Sequence, residues 1–372
     1  MMHNEVYHSD LAIPPGEYLE EVIAELGMTK DELARRMSRP APKLSAIFNG
    51  DKAITPNTAL QLEKVVGVPA HIWTGLEAEY RLILARNQEI QELKKQREER
   101  RLVTKFCYSE LVKFGFVAKK TKPTEKVREL QHFFGVTSLK NIPDVKRYQA
   151  AFRQGKGKRS PEATAAWLRI GEIQGQKAES APFKKHLLEK SLLTIRKMTR
   201  QSPNEFLTPL YKFLSNAGVV LVLCPHLPKT YLHGATFFLG PAKAVLMLTN
   251  RGSWADIFWF SLFHEIGHLL LHGKGMVFLE GNEKKRGLNE AEQAADKFAA
   301  KVLIPPDDYG NFLKTEDFSK QHIKNFAHRL GIDPGIVVGR LQHDGYINNS
   351  WQNDLRRRYE WRSDKAVYQF PV

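Results

Sequence analysis

Hydrophobic positions along the chain follow two different periods. From residue 16 to about residue 200 they recur at the three-and-four spacing of helices. Tyr18, Leu19, Val22, Ile23 and Leu26 form the first stripe, which Gly27 ends. Thr29 stands three residues before Glu32, which predicts a capping box and a helix to about Met37. A turn at Ser38-Arg39-Pro40 leads into a helix over 41–48, closed by Asn49-Gly50. Two short helices joined by a tight turn predict a helix-turn-helix. Thr55-Pro56-Asn57 opens a helix over 58–66, and another begins near Pro69 with Ile72, Trp73 and Leu76. Residues 87–103 lack Gly and Pro and are rich in strong helix formers, predicting an exposed, charged linker helix. Helical spacing returns over 109–116, 124–134, 144–152, 160–171 and 182–198.

After residue 205 the period changes. A helix over 206–217 is closed at Gly218, and Val219 to Leu223 is a β-branched, strand-like run. Gly234 to Leu239 and Ala244 to Leu248, separated by Gly240-Pro241-Ala242-Lys243, predict a hairpin or small sheet. Asn250-Arg251-Gly252 then leads into a strongly apolar helix from about Trp254 to Leu271. The expected fold is mainly α with a small β-sheet, in the α+β class. Its expected parts are a helix-turn-helix bundle over 1–86, the linker helix over 87–103, a helical middle domain over 104–203, an α+β domain over 204–345 and a tail over 346–372.

The apolar helix carries the chemistry. Its second half reads His264-Glu265-Ile266-Gly267-His268, the H-E-x-x-H pattern. One turn of helix puts His264 and His268 on one face, where two imidazoles can hold one Zn²⁺. Glu265, about 100° round the helix, reaches the edge of such a site as a general base. A zinc hydrolase needs a third protein ligand and one open position. The segment Leu288 to Ala300 predicts a helix with small residues on one face, and Glu292 and Asp296 lie one turn apart on it. Glu292 can ligate, and Asp296 can accept a hydrogen bond from the other nitrogen of a ligand histidine. His272 continues the His264–His268 row, but the row rises about 6 Å per step, too far for a third ligand to one ion. It reads as a structural or supporting residue. Tyr231, His233, His322, His328 and His343 are candidates for a second donor to a developing oxyanion.

Two segments resemble known families. Trp259-Phe260-x-Leu262-Phe263-His264-Glu265-Ile266-Gly267-His268 and Glu292-x-x-Ala295-Asp296-x-Phe298-Ala299-Ala300-x-x-Leu303-Ile304-Pro305 resemble the ImmA/IrrE metallopeptidases, which share the gluzincin arrangement. The resemblance spans roughly 205–345 and implies His264, His268 and Glu292 as zinc ligands, Glu265 as general base and repressor-like proteins as substrates. Pro15-Gly16-Glu17, Thr29-x-x-Glu32-Leu33-Ala34, Ile47-x-Asn49-Gly50 and Thr58-Ala59-Leu60-x-Leu62 resemble HigA-type antitoxins of the Xre-like helix-turn-helix class. That implies DNA binding by the helix at 41–48. Its first residues, Ala41 and Pro42, cannot hydrogen-bond base edges from their side chains. Arg39, Lys43, Ser45 and Lys52 are the candidate DNA contacts. Xre-like domains pair to read two half-sites, which predicts a homodimer.

Charge and composition narrow the setting. The net charge of +15 sits in the middle third: residues 87–200 carry 27 Lys+Arg against 12 Asp+Glu, whereas residues 1–86 carry 9 against 12. The run Arg153 to Arg159 predicts a basic loop that is solvated or touches phosphate. Two cysteines, Cys107 and Cys224, predict a reducing cytoplasm and no cysteine-based metal site. No run of about 18 apolar residues predicts a membrane span, and the N-terminus lacks the layout of a signal peptide. Together these readings predict a zinc-dependent endopeptidase coupled to a DNA-binding domain, a regulator that cleaves a repressor or antitoxin. The alternative is a HigA-type antitoxin or autorepressor with a toxin partner and a structural or sensory metal site.

Overall fold

The computed structural model describes residues 11–95, 97–153, 159–249, 253–272, 277–279 and 286–359. The basic loop at 153–159, the turn at 250–252 and the loop around 273–275 lie wholly or largely outside them. The chain forms two compact units, residues 1–97 and 98–372, and it is mainly helical with one small sheet, as the periods predict.

The first unit holds α1 (Pro15–Glu25), α2 (Lys30–Arg36), α3 (Ala41–Phe48), α4 (Pro56–Val66) and α5 (Ala70–Lys95). The Thr29 hydroxyl accepts from the Glu32 amide at 3.2 Å, and Thr55 caps α4 through the Thr58 amide at 3.3 Å. Leu19, Leu33, Leu44, Ile47, Leu62 and Trp73 close one core. Each such side chain contributes on the order of 1.5–3 kcal/mol. Helix α5 does not stop near residue 86. It runs on to Lys95 because no Gly or Pro interrupts it after Gly75. The expected linker helix is therefore the last third of α5 together with most of α6 (Arg97–Lys105).

The second unit continues with α7 (Tyr108–Lys113), α8 (Pro123–Phe134), α9 (Gln149–Arg153), α10 (Pro161–Lys177), α11 (Lys185–Lys197) and α12 (Pro203–Asn216). The helix expected over 144–152 is instead a 3₁₀ turn over Leu139–Asp144 followed by the short α9.

Strands β1 (Val219–Leu223), β2 (Gly234–Phe238) and β3 (Ala244–Leu248) follow. β2 and β3 form the expected antiparallel hairpin, with Gly234 opposite Leu248. β1 runs parallel to β3, and the two-residue β4 (Phe278–Leu279) pairs with β2, so the sheet order is β1-β3-β2-β4. Both β1 and β3 are buried at every position. That is why they read as continuous apolar runs rather than alternating ones.

Helix α13 (Ala255–Leu271) packs against β2 and β3, and α14 (Arg286–Leu303) packs against α13. Trp259, Leu262, Phe263 and Ile266 anchor α13 in the main core. Helices α15 (Pro306–Leu313), α16 (Lys320–Leu330) and α17 (Pro334–His343) complete the unit. The chain does not leave the domain at residue 345. The Ala255 amide donates to the Arg357 carbonyl at 3.0 Å, and the Tyr359 amide to the Ser253 carbonyl at 2.8 Å. Arg356 makes a two-pronged bond to the buried Asp256 at 3.0 and 2.7 Å, clamping the start of α13.

Candidate metal centre

The site forms where α13 and α14 run side by side in opposite directions. His264 and His268 lie one turn apart on α13 and are both almost fully buried. Their Nε2 atoms are 3.0 Å apart. Across from them stands Glu292 of α14. Its carboxylate oxygens lie 3.2 Å from His264 Nε2 and 3.3 Å from His268 Nε2. One turn further along α14, Asp296 Oδ1 lies 2.8 Å from His264 Nδ1. A proton on Nδ1, donated to Asp296, leaves the Nε2 lone pair facing the site.

Small residues permit this approach. A Cβ on Gly267 would lie 3.1 Å from the Phe298 ring and 3.2 Å from Ala295 Cα. Gly267, Ala295 and Ala299 therefore set the spacing of the two helices, and that spacing sets the reach of Glu292.

Glu265 is fully buried. It rests against the backbone at the start of β2. A Cβ on Gly234 would meet Glu265 Oε1 at 2.5 Å. Tyr231 and His233 lie on the segment that leads into this glycine, and Tyr231 has a left-handed backbone at φ 51. Of the other candidate oxyanion donors, His322 faces Thr315 and Asp317, and His343 is exposed and bonded to Asp344. His328 is exposed too.

The electrostatics suit ligation. Burial pushes the Glu292 carboxyl up, but the neighbouring His264 and His268 rings outweigh it and pull the group down to about 2. Burial pushes the His268 imidazolium down, against the pull of Glu292. A carboxylate anion and a neutral imidazole are the forms a metal needs.

The donor atoms of His264, His268 and Glu292 lie within 4.8 Å of one another. Tetrahedral zinc with bonds of about 2.0–2.1 Å would separate its ligand atoms by about 3.3–3.4 Å. The separations of 3.0, 3.2 and 3.3 Å match that span within a few tenths of an ångström. Two imidazoles and a carboxylate form a donor set that zinc takes. The residues present fit the ion. His272 stands apart from this group, with its Nε2 3.2 Å from the Ala291 carbonyl.

Sequence reasoning missed Gly234 and the Asp256–Arg356 pair. Neither carries a local signal, since each acts on a partner distant in sequence.

On α3, Ala41, Pro42, Lys43 and Ser45 are exposed, and so is Lys52 beyond it. Arg39 is half-buried, with its Nε 2.7 Å from Gln61 Oε1. The candidate DNA contacts therefore divide into one side chain already engaged within the fold and three left on the surface.

Comparison with known proteins finds likenesses for two parts of the chain. The sequence profile of the IrrE N-terminal-like domain matches residues 222–342. The N-terminal region is 32% identical over 63 residues to the HTH-type transcriptional regulator YddM of Escherichia coli, covering 17% of this chain and 67% of that protein. It is 32% identical over 75 residues to virulence-associated protein I of Dichelobacter nodosus, covering 20% of this chain and 69% of that protein. A solved HigA-family addiction module antidote protein from Coxiella burnetii shares 32% identity over 23% of this chain and 94% of its own, with a TM-score of 0.21. Through its N-terminal domain the chain belongs to the helix-turn-helix transcriptional regulators, and it joins that domain to a C-terminal domain of the IrrE type.

Proposed function

We propose that this chain is a zinc-dependent endopeptidase whose helix-turn-helix domain directs it to DNA, acting as a regulator that cleaves a repressor-like protein. The observation that carries this reading is the convergence of His264, His268 and Glu292, with the buried Glu265 next to His264 in the same helix. His264 and His268 would bind Zn²⁺ through Nε2 and Glu292 through its carboxylate. The bound ion would polarise the scissile carbonyl and lower the pKa of the attacking water.

The chain's own residues supply the rest. Asp296 fixes the tautomer and ring orientation of His264 through its 2.8 Å bond. Glu265, enclosed by Gly234, takes the proton of the attacking water and returns it to the leaving amine. Lys43 and Ser45 present hydrogen-bonding groups from α3, and Lys52 adds a charge for phosphate. DNA, a protein substrate and a second copy of the chain are the partners in this reading, in a reducing cytoplasm. No described helix is long and apolar enough to cross a membrane.

The test compares wild type with Glu265→Gln on a set of helix-turn-helix repressors and on unfolded casein, with zinc measured in both preparations. The variant should keep its zinc and lose about 100- to 10,000-fold in cleavage rate. Cleavage at the wild-type rate by Glu265→Gln sinks the assignment of the base.

The likeness to a transcriptional regulator favours a second reading. In it the chain is an antitoxin or autorepressor with a toxin partner, and the metal site is structural or sensory. Wild-type protein that binds its own promoter specifically and cuts none of the proteins tested would favour it.

A further inference from the structure

We infer that His272 is a positioning residue for the metal centre: its ring ties the first half of α14 to the end of α13 and so holds Glu292 opposite His264 and His268. The inference rests on the metal-centre reading proposed above.

His272 ends α13. Its amide closes the last turn on the His268 carbonyl at 3.1 Å, and its backbone is extended, at φ −118 and ψ 162. Its Nε2 lies 3.2 Å from the Ala291 carbonyl oxygen. A carbonyl only accepts, so this nitrogen carries the proton and donates. A nitrogen committed to donating has no lone pair left for a metal. The spacing agrees, since the His272 ring centre is 5.4 Å from that of His268, whereas His264 and His268 are 4.6 Å apart.

The contacts form a ladder between two opposed helices. His264 meets Asp296, His264 and His268 meet Glu292, and His272 meets Ala291. Ala291 is the residue directly before Glu292. On the other side of Glu292, Ala295 packs on Gly267. The third ligand therefore sits between two tie points, one of packing and one of hydrogen bonding. Removing the His272 bond frees the N-terminal side of Glu292 while leaving the packing side intact. Outer partners of this kind set metal affinity, and their loss typically costs about 10- to 100-fold.

The test is zinc affinity of the full chain, by competition with a colorimetric chelator. The proteins are wild type, His272→Ala, His272→Leu (volume without a donor), His272→Gln (a donor without a ring) and His264→Ala. The Ala and Leu variants should bind zinc about 10- to 100-fold more weakly than wild type, and Gln should recover most of the loss. Metal-free wild type and Gln variant should unfold at similar urea concentrations. Wild-type affinity in His272→Leu overturns the inference. So does an equal loss in the Leu and Gln variants, because the N–H bond is then not what matters. A drop in metal-free stability with unchanged zinc affinity assigns His272 a purely structural role and also overturns it. If wild type binds zinc no more tightly than His264→Ala, it is the metal-centre reading that falls instead.

Discussion

Helix α13 buries fourteen of its seventeen residues, whereas α3 buries three of its eight. Both helices carry the residues on which a proposed function depends. In α13 the polar side chains are inside, and each is held by packing or by a named partner. His264 is fixed by Asp296 and Glu292, and Glu265 is enclosed by Gly234. In α3 the buried residues Leu44, Ile47 and Phe48 only build the fold, and Lys43 and Ser45 are left to solvent. A buried constellation carries its geometry with it, because the structure has already met the cost of ordering those side chains. An exposed reading surface acquires its geometry when a partner arrives. The first kind of site is therefore sensitive to small changes of shape, and the second to charge and salt.

The largest effect should come from crowding the buried site. Gly234→Ala would place a methyl group 2.5 Å from Glu265 Oε1, so the carboxylate must move. A displacement of about 1 Å costs roughly 100-fold in rate. Zinc content should be unchanged, because Gly234 touches none of the three ligands' named contacts. Cleavage at the wild-type rate by this variant would mean that Glu265 tolerates displacement and that the site is looser than the packing indicates.

A smaller effect should appear in pH dependence. Burial lowers the His268 pKa below the ordinary 6.5, so the unfolded chain binds this proton more readily than the folded chain. Stability of the metal-free protein then rises with pH through the window from the folded value up to about 6.5, and is lost as the pH falls through it. Glu292 acts with the same sign lower down. Its contribution is present above the ordinary 4.5 and is lost as the pH falls toward about 2. The urea midpoint of the second unit should fall between about pH 7 and about pH 5, and His268→Gln should flatten that fall. Equal pH slopes in the two proteins would show that His268 is not the group responsible.

The smallest effect belongs to α3. If Lys43 makes a phosphate contact, Lys43→Ala should weaken DNA binding roughly equally on all sequences and reduce the salt slope by about 1. If it reads a base, specificity at one position should relax by about 1–3 kcal/mol instead. Titrations on promoter and random duplexes at two salt concentrations separate these outcomes. No change in either quantity removes Lys43 from the interface.

The same contrast explains what the sequence made legible. His264, His268, Glu292 and Asp296 were readable because helical periodicity alone puts each pair on a shared face. The core of the first unit was readable for the same reason, through Leu19, Leu33, Leu44 and Leu62. The rest needed contacts between distant segments. Nothing around Gly234 announces that its missing side chain makes room for Glu265. The parallel pairing of β1 with β3 depends on strand order, which continuous apolar runs do not encode. Residues 353–359 look like an exposed tail until Arg356 is seen on Asp256 and Tyr359 on Trp259. Helix α5 outran its expected end because composition marks where a helix must break, not where a domain stops.

The central claim is that His264, His268 and Glu292 form one zinc site. Metal analysis of the purified full chain beside His264→Ala tests it most directly. The account predicts about one zinc per chain in wild type and a loss of that zinc in the variant, with both proteins folded. Equal zinc in the two, or none in wild type prepared with zinc present, would contradict it.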